Sequence, residues 1–94
     1  MIHNYLPDSI WKMDISLSCK VIAERICAMT NKGKREVEFS NEYISNLTGI
    51  CPRSVQRALS TLQDLKIIQS KVTLREKKVR LVKFIYQENN NGDL

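Results

Sequence analysis

A short break between two helical patterns constrains this fold more than any other feature. It lies in the stretch LTGICPRSVQRALSTL, residues 47–62. Gly49 can adopt the left-handed backbone that ends a helix, and Pro52 suits the first position of the next, where its missing N–H costs nothing. Cys51 then becomes the N-cap, for which its side chain is chemically poor. Two helices joined by so short a turn predict a helix-turn-helix unit.

Apolar residues at spacings of three and four predict three helices. The first begins at a cap provided by Ser16 or Ser18 and ends near Asn31 and Gly33. The second follows the cap residue Ser40, and the third covers residues 52–66. The predicted buried faces are Leu17, Val21, Ile22, Ile26 and Met29 in the first helix, Tyr43, Ile44 and Leu47 in the second, and Val55, Ala58, Leu59, Leu62 and Leu65 in the third.

The hydrophobic period changes to two in three segments, which predicts strands. Val37 and Phe39 alternate with glutamates, and residues 67–75 and 79–86 form the arms of an antiparallel hairpin with a charged tip. The predicted fold class is mainly α with a small β-hairpin. Residues 1–15 are predicted to be an N-terminal extension that packs on the core, 16–86 one domain, and 87–94 a polar flexible tail.

Positive charge is concentrated in the second half of the chain. The formal net charge is +5, yet residues 1–50 hold six Lys or Arg and six Asp or Glu. Residues 51–86 hold nine basic residues against two acidic ones. Such segregation of charge favours a polyanionic binding partner. The alternative is that the charge serves only to keep the protein soluble.

The remaining composition argues against several classes of protein. Three cysteines, none in a CxxC pair, cannot form a complete disulfide framework, so a reducing cytoplasm is the expected setting. His3 is the only histidine, and we expect neither a metal site nor a cofactor. The sequence has no apolar run long enough for a membrane span, so we expect no membrane partner. It has no phosphate loop and no Ser/His/Asp order, so we expect no enzymatic activity. Cys19 and Cys27 are interpreted as small buried groups.

Residues 41–68, NEYISNLTGICPRSVQRALSTLQDLKII, resemble the winged helix-turn-helix DNA-binding family. The likeness is greatest to the helix-turn-helix domains of phage and plasmid replication proteins and of small bacterial transcriptional regulators, and it covers roughly residues 14–86. It implies three helices plus a β-wing, with residues 52–66 in the DNA major groove and the wing, residues 71–83, on the backbone or minor groove. The CP pair departs from the pattern, because Ser or Thr commonly caps that helix.

The candidate DNA-binding side chains fall into two groups. On the third helix, Arg can bond a guanine edge and Gln an adenine edge, and hydroxyls suit bases or phosphates. On the wing, cations suit phosphates, although Lys on an exposed edge strand also discourages aggregation. The candidates are Arg53, Ser54, Gln56, Arg57 and Ser60 on the helix, and Lys71, Arg75, Lys77, Lys78 and Arg80 on the wing.

The predicted function is therefore sequence-specific binding of double-stranded DNA, by a replication initiator or a transcriptional regulator. A homodimer or cooperative assembly on repeated sites is expected, since one small module buries little DNA surface. The alternative is a winged-helix module that binds proteins of the replication or transcription machinery. Lys32, Lys34 and Arg35 form a second, smaller basic cluster, diluted by the glutamates that follow it.

Overall fold

The described residues form four helices and one three-stranded antiparallel sheet. The computed structural model describes residues 6–74 and 78–86, and of Leu74 and Lys78 the backbone alone. None of the helices in these ranges is long and apolar enough to cross a membrane. The elements are α1 (Asp8–Trp11), α2 (Leu17–Met29), β1 (Val37–Phe39), α3 (Asn41–Thr48), α4 (Pro52–Asp64), β2 (Ile68–Leu74) and β3 (Lys78–Phe84).

Local signals in the sequence set most helix boundaries. Ser16 Oγ accepts a hydrogen bond from the Cys19 N–H at 3.2 Å and caps α2, and Ser40 caps α3 in the same way. The helix predicted over residues 52–66 is two residues too long, because α4 ends at Asp64. Lys66 is left-handed, with φ +63°, and the Ile67 N–H donates to the Leu62 carbonyl at 2.9 Å. This hydrogen bond closes the helix without a glycine.

The prediction of three helices missed α1. This single turn follows Pro7 and carries Ile10, which is fully buried in the core. Leu6 is also buried there, and the side-chain hydroxyls of Ser9 and Tyr86 lie 2.7 Å apart, within hydrogen-bonding distance. The first residues of the described chain therefore pack against the end of β3. Four residues are too few to show a helical period, so the sequence predicted only a short element in residues 1–15 and not its helical form.

The hairpin of β2 and β3 is widened by β1, which pairs with the other edge of β3. Both predicted hairpin arms and the predicted short strand are present, but their union in one sheet was not anticipated. β1 joins because Val37 and Phe39 bring apolar side chains to the face of β3 that carries Val82. Of the predicted charged tip near Arg75–Lys78, residues 75–77 lie outside the described residues, and the backbone of Lys78 belongs to β3.

The core lies between that sheet face and helices α2, α3 and α4. Each predicted apolar helix face was too wide. Leu17 is 70% exposed, Tyr43 51%, Leu47 43% and Leu65 43%, so these four assignments to the core were wrong. Cys19 and Cys27 are both buried, as expected for small packing groups. The residues that fill the centre are Ile22, Ala23, Ile26, Ile44, Val55, Ala58, Leu59, Leu62, Ile67, Ile68 and Val82.

Candidate nucleic-acid interface

Helix α4 divides into a buried apolar side and an exposed polar side. Val55, Ala58, Leu59 and Leu62 are buried against the rest of the core. The other side shows solvent a continuous polar surface that carries two positive charges and, before Asp64, no negative one. Its exposed members are Arg53, Gln56, Arg57 and Ser60, with Ser54 and Thr61 half-buried beside them.

The turn before α4 holds the helix at a defined angle to α3. Gly49 has φ +78°, and its N–H donates to the Ser45 carbonyl at 2.8 Å. The Thr48 hydroxyl donates to the Ile44 carbonyl at 2.7 Å and accepts from the Ile50 N–H at 3.2 Å. These bonds satisfy backbone groups that the end of α3 would otherwise leave unpaired. These hydrogen bonds hold the turn in one conformation, which fixes where α4 begins.

The first turn of α4 has an unusual N-cap. Cys51 has the extended backbone of an N-cap, yet its side chain makes no capping hydrogen bond to the helix backbone. Its thiol instead donates to Ser54 Oγ at 3.3 Å. Hydrogen bonding with the Ser54 side chain is the largest influence on the pKa of this exposed thiol and lowers it. Ser54 is thus engaged within the helix start as well as being a candidate DNA contact.

A narrow groove separates α4 from the start of α2. Ser16, Ser18 and Cys19 line one wall, and Ser54, Arg57 and Thr61 line the other. A second depression, on the exposed side of α4, is lined by Arg53, Gln56, Arg57, Ser60 and Thr61. Arg57 borders both, so this residue connects the exposed polar side of α4 with the groove beside the start of α2. Ser16, Ser18 and Thr61 were not among the site residues predicted from the sequence.

The two faces of the sheet separate the hairpin cations. Lys71 pairs with Leu81 and is exposed on the face away from the helices. Arg80 pairs with Val72 and shares the inner face with Val82. Of the other predicted hairpin residues, Arg75 and Lys77 lie outside the described residues, and only the backbone of Lys78 is described.

Arg80 makes specific contacts within the protein. Its Nε donates to Asn41 Oδ1 at 2.8 Å, and its Nη1 donates to Ser70 Oγ at 3.3 Å. Burial lowers the pKa of this guanidinium, although an arginine so placed stays protonated at neutral pH. Neither Asn41 nor Ser70 was singled out from the sequence. No local pattern could have found them, since Asn41 lies 39 residues from its partner.

The second basic cluster lies in the loop between α2 and β1. Lys32, Lys34 and Arg35 are all exposed, and Arg35 Nε donates to the Met29 carbonyl at 3.1 Å. Lys32 also borders a small cavity with Lys83 and Tyr86, at the end of the hairpin opposite its tip. Across the described residues, no three His, Cys, Asp or Glu side chains come together as metal ligands.

Comparisons of this chain with protein-family models, curated proteins and solved structures found no match.

Proposed function

We propose that this chain is a cytoplasmic winged helix-turn-helix protein that binds double-stranded DNA sequence-specifically, without catalysing a reaction. On this proposal, α3 and α4 form the helix-turn-helix and the β2–β3 hairpin is the wing. The role would be that of a phage- or plasmid-type replication initiator or transcriptional regulator.

The observation that carries the proposal is the polar side of α4. Arg53, Gln56, Arg57 and Ser60 are all exposed on one side of a helix whose other side is anchored in the core. A helix of 13 residues is about 20 Å long and fits a major groove about 12 Å wide. A face that only needed to be soluble would usually mix charge signs, and this one is free of acids until Asp64.

Each side chain on this face suits a distinct contact. Arg53 and Arg57 can each donate two parallel hydrogen bonds to the O6 and N7 atoms of a guanine. Gln56 can bond an adenine edge in the corresponding bidentate way. Ser54 and Ser60 are short hydroxyl donors, suited to phosphates or to bases that approach the helix closely. Together they provide both sequence reading and backbone contact.

The hairpin supplies charge that acts on every sequence alike. Lys71 is exposed, and Arg75, Lys77 and Lys78 follow it around the tip in the sequence. Each phosphate that such a cation neutralises releases condensed counterions, so affinity falls as salt rises. The wing would therefore supply affinity, and α4 would supply specificity.

A single module of this kind buries only about 600–1,000 Å² of protein surface on DNA. We therefore propose that it binds as a homodimer or cooperatively on repeated half-sites. Trp11 is half-buried against the core, which favours a packing role for its side chain and not a place in the dimer interface.

A second candidate function is a winged-helix module that binds a replication or transcription protein. Tyr43 and Leu47 favour it, because they lie one turn apart on α3 and are about half exposed. Exposed apolar side chains at such spacing occur at helix-mediated contacts. This function predicts that charge removal on α4 leaves partner binding unchanged.

The test is selection from a random pool of DNA duplexes at physiological salt. A palindromic consensus would support a dimeric regulator, and direct repeats would support origin binding. Arg53→Ala and Arg57→Ala should each lose discrimination between the selected and a scrambled duplex. Lys12→Ala is the matched control, because it removes one exposed charge far from α4 in the sequence and should keep discrimination. If the pool shows no enrichment, the proposal fails and the protein-binding candidate is favoured.

A further inference from the structure

The β2–β3 hairpin leaves the sheet at one residue, Arg80. In β3, Arg80 is paired with Phe39 of β1 on one side and Val72 of β2 on the other. Val79 and Lys78, which precede it, pair only with β2. Arg80 therefore marks the position where three strands become two and the hairpin projects alone.

A projecting two-stranded ribbon has little to hold its direction. Such ribbons twist strongly and are marginally stable without further packing. Val72, opposite Arg80, is already 47% exposed, whereas Val82, two residues further along β3, is fully buried. Apolar packing thus ends where the ribbon begins, and another interaction is needed to fix its angle.

The Arg80 guanidinium provides that interaction. It joins β3 to Ser70 on β2 and to Asn41, the first residue of α3. β1 ends at Phe39, and Ser40 caps α3, so Asn41 is the helix residue nearest the last β1–β3 pair. One planar side chain thereby connects the base of the ribbon to the helix that leads into α4. The fork geometry of Arg allows both bonds at fixed angles, which the single ammonium of Lys does not.

We infer that Arg80 is a positioning residue that sets the direction of the β2–β3 hairpin relative to α3 and α4, and that it acts through Asn41 and Ser70. The inference rests on the proposed function, in which the hairpin and α4 contact one DNA duplex together. It revises the role that the sequence suggested for Arg80, a direct phosphate contact. Lys71 contacts phosphate only when the hairpin holds the direction that Arg80 sets.

Two variants separate positioning from phosphate contact. Asn41→Ala removes the acceptor of Arg80 Nε and changes no charge, and Arg80→Lys keeps the charge but loses the fork. Asn46→Ala is the matched control, since Asn46 is exposed and lies on the same helix. Ser70→Ala, which removes the second acceptor, serves as a further variant if either of the first two folds poorly by circular dichroism.

The probe is a mixed-sequence DNA duplex, titrated with the full chain over a range of salt concentrations. We expect Asn41→Ala and Arg80→Lys each to weaken binding about three- to tenfold and to reduce the salt slope by about one unit, the value of one lost phosphate contact. Asn46→Ala should match the wild type. A purely structural role would lower stability but leave the salt slope of the folded protein unchanged. If Arg80 instead contacted phosphate directly, the affinity and salt slope of Asn41→Ala would equal those of the wild type, and those of Arg80→Lys would be nearly equal to them.

A measurement without DNA tests the inference separately. Residual dipolar couplings of the amides in β2, β3 and α4 report the relative orientation of hairpin and helix in solution. The couplings should change within the hairpin in Asn41→Ala and Arg80→Lys, and stay unchanged in Asn46→Ala. Unchanged hairpin couplings in all three variants overturn the inference. If the wild type binds no duplex, the proposed function fails, and these couplings still decide whether Arg80 orients the hairpin.

Discussion

Gly33 lies directly against the backbone of Phe84. Its φ is +91°, and a Cβ at this position would collide with the Phe84 carbonyl oxygen. The Gly33 N–H donates at 3.2 Å to the hydroxyl of Thr30, a fully buried residue at the end of α2. The loop that follows α2 is therefore seated on the end of β3, and both its backbone conformation and the available space require glycine.

Gly33→Ala should lower the free energy of unfolding by about 3 kcal/mol, because the substitution adds a backbone collision to the cost of a left-handed alanine. Gly49→Ala is the matched control: it has φ +78° with no atom near the added Cβ, and should cost about 1–2 kcal/mol. Urea denaturation of both variants measures the difference. Equal losses would show that the contact with Phe84 is not tight in solution.

Ile44 and Leu47 lie on the same short helix but differ in burial. Ile44 is fully buried, so Ile44→Ala should cost about 2–5 kcal/mol through lost burial and the cavity left behind. Leu47 is 43% exposed, and Leu47→Ala should cost about 1 kcal/mol or less. Thermal or urea unfolding of the two variants tests the burial assigned to α3. A large loss at Leu47 would mean that another surface covers it in solution.

Cys51 should be the reactive thiol of this protein. Its pKa is lowered by hydrogen bonding with Ser54, so at any pH near neutrality more of it is thiolate than in a free cysteine. Its alkylation rate should therefore persist to lower pH, and Ser54→Ala should move the pH profile upward. Iodoacetamide labelling followed by peptide mass spectrometry measures both effects.

The two cysteines of α2 provide the internal control for that experiment. Both are buried, and burial raises the pKa of the Cys27 thiol. Cys19 and Cys27 should react only after unfolding in denaturant. Labelling of either in the folded protein at the rate of Cys51 would contradict the packing of α2.

On the proposed DNA-binding function, removing charge from the hairpin should affect all DNA sequences equally. Lys77→Ala and Lys78→Ala should each weaken binding to selected and scrambled duplexes alike and reduce the salt slope by about one unit. Arg57→Ala should differ by reducing the preference for the selected duplex. Fluorescence anisotropy titrations at several salt concentrations separate the two patterns. A loss of preference in the hairpin variants would mean that the hairpin contacts bases as well as phosphates.

Much of α3 and α4 was predictable because their signals are local. The Ser40 cap, the left-handed Gly49 and Pro52 at the first helical position act within one turn of chain, and all three lie where predicted. The polar and apolar sides of α4 follow from its period alone. Leu65 was wrongly predicted to be buried because α4 ends at Asp64, before this residue. The left-handed Lys66 that follows has no signature in the sequence.

The roles of exposed leucines and of Arg80 were not predictable in the same way. Leu17 fits the helical period of α2, yet it is 70% exposed, so the described elements that pack on α2 leave this side of its first turn uncovered. From the sequence, Arg80 was predicted to contact phosphate like the other hairpin cations. In the structure its guanidinium donates hydrogen bonds to Asn41 and Ser70. Both outcomes depend on which elements become neighbours.

By itself, the sequence determined the elements that local chemistry specifies: the helix caps, the break at Gly49, the strand periods and the concentration of positive charge after residue 50. Tertiary structure alone decided that β1 joins the hairpin, that α1 closes the core and that Arg80 holds α3 to the base of the ribbon. The reason is physical. Caps and periods are set by contacts within about one turn, whereas these pairings join residues far apart in the chain and form only when the core brings their surfaces together.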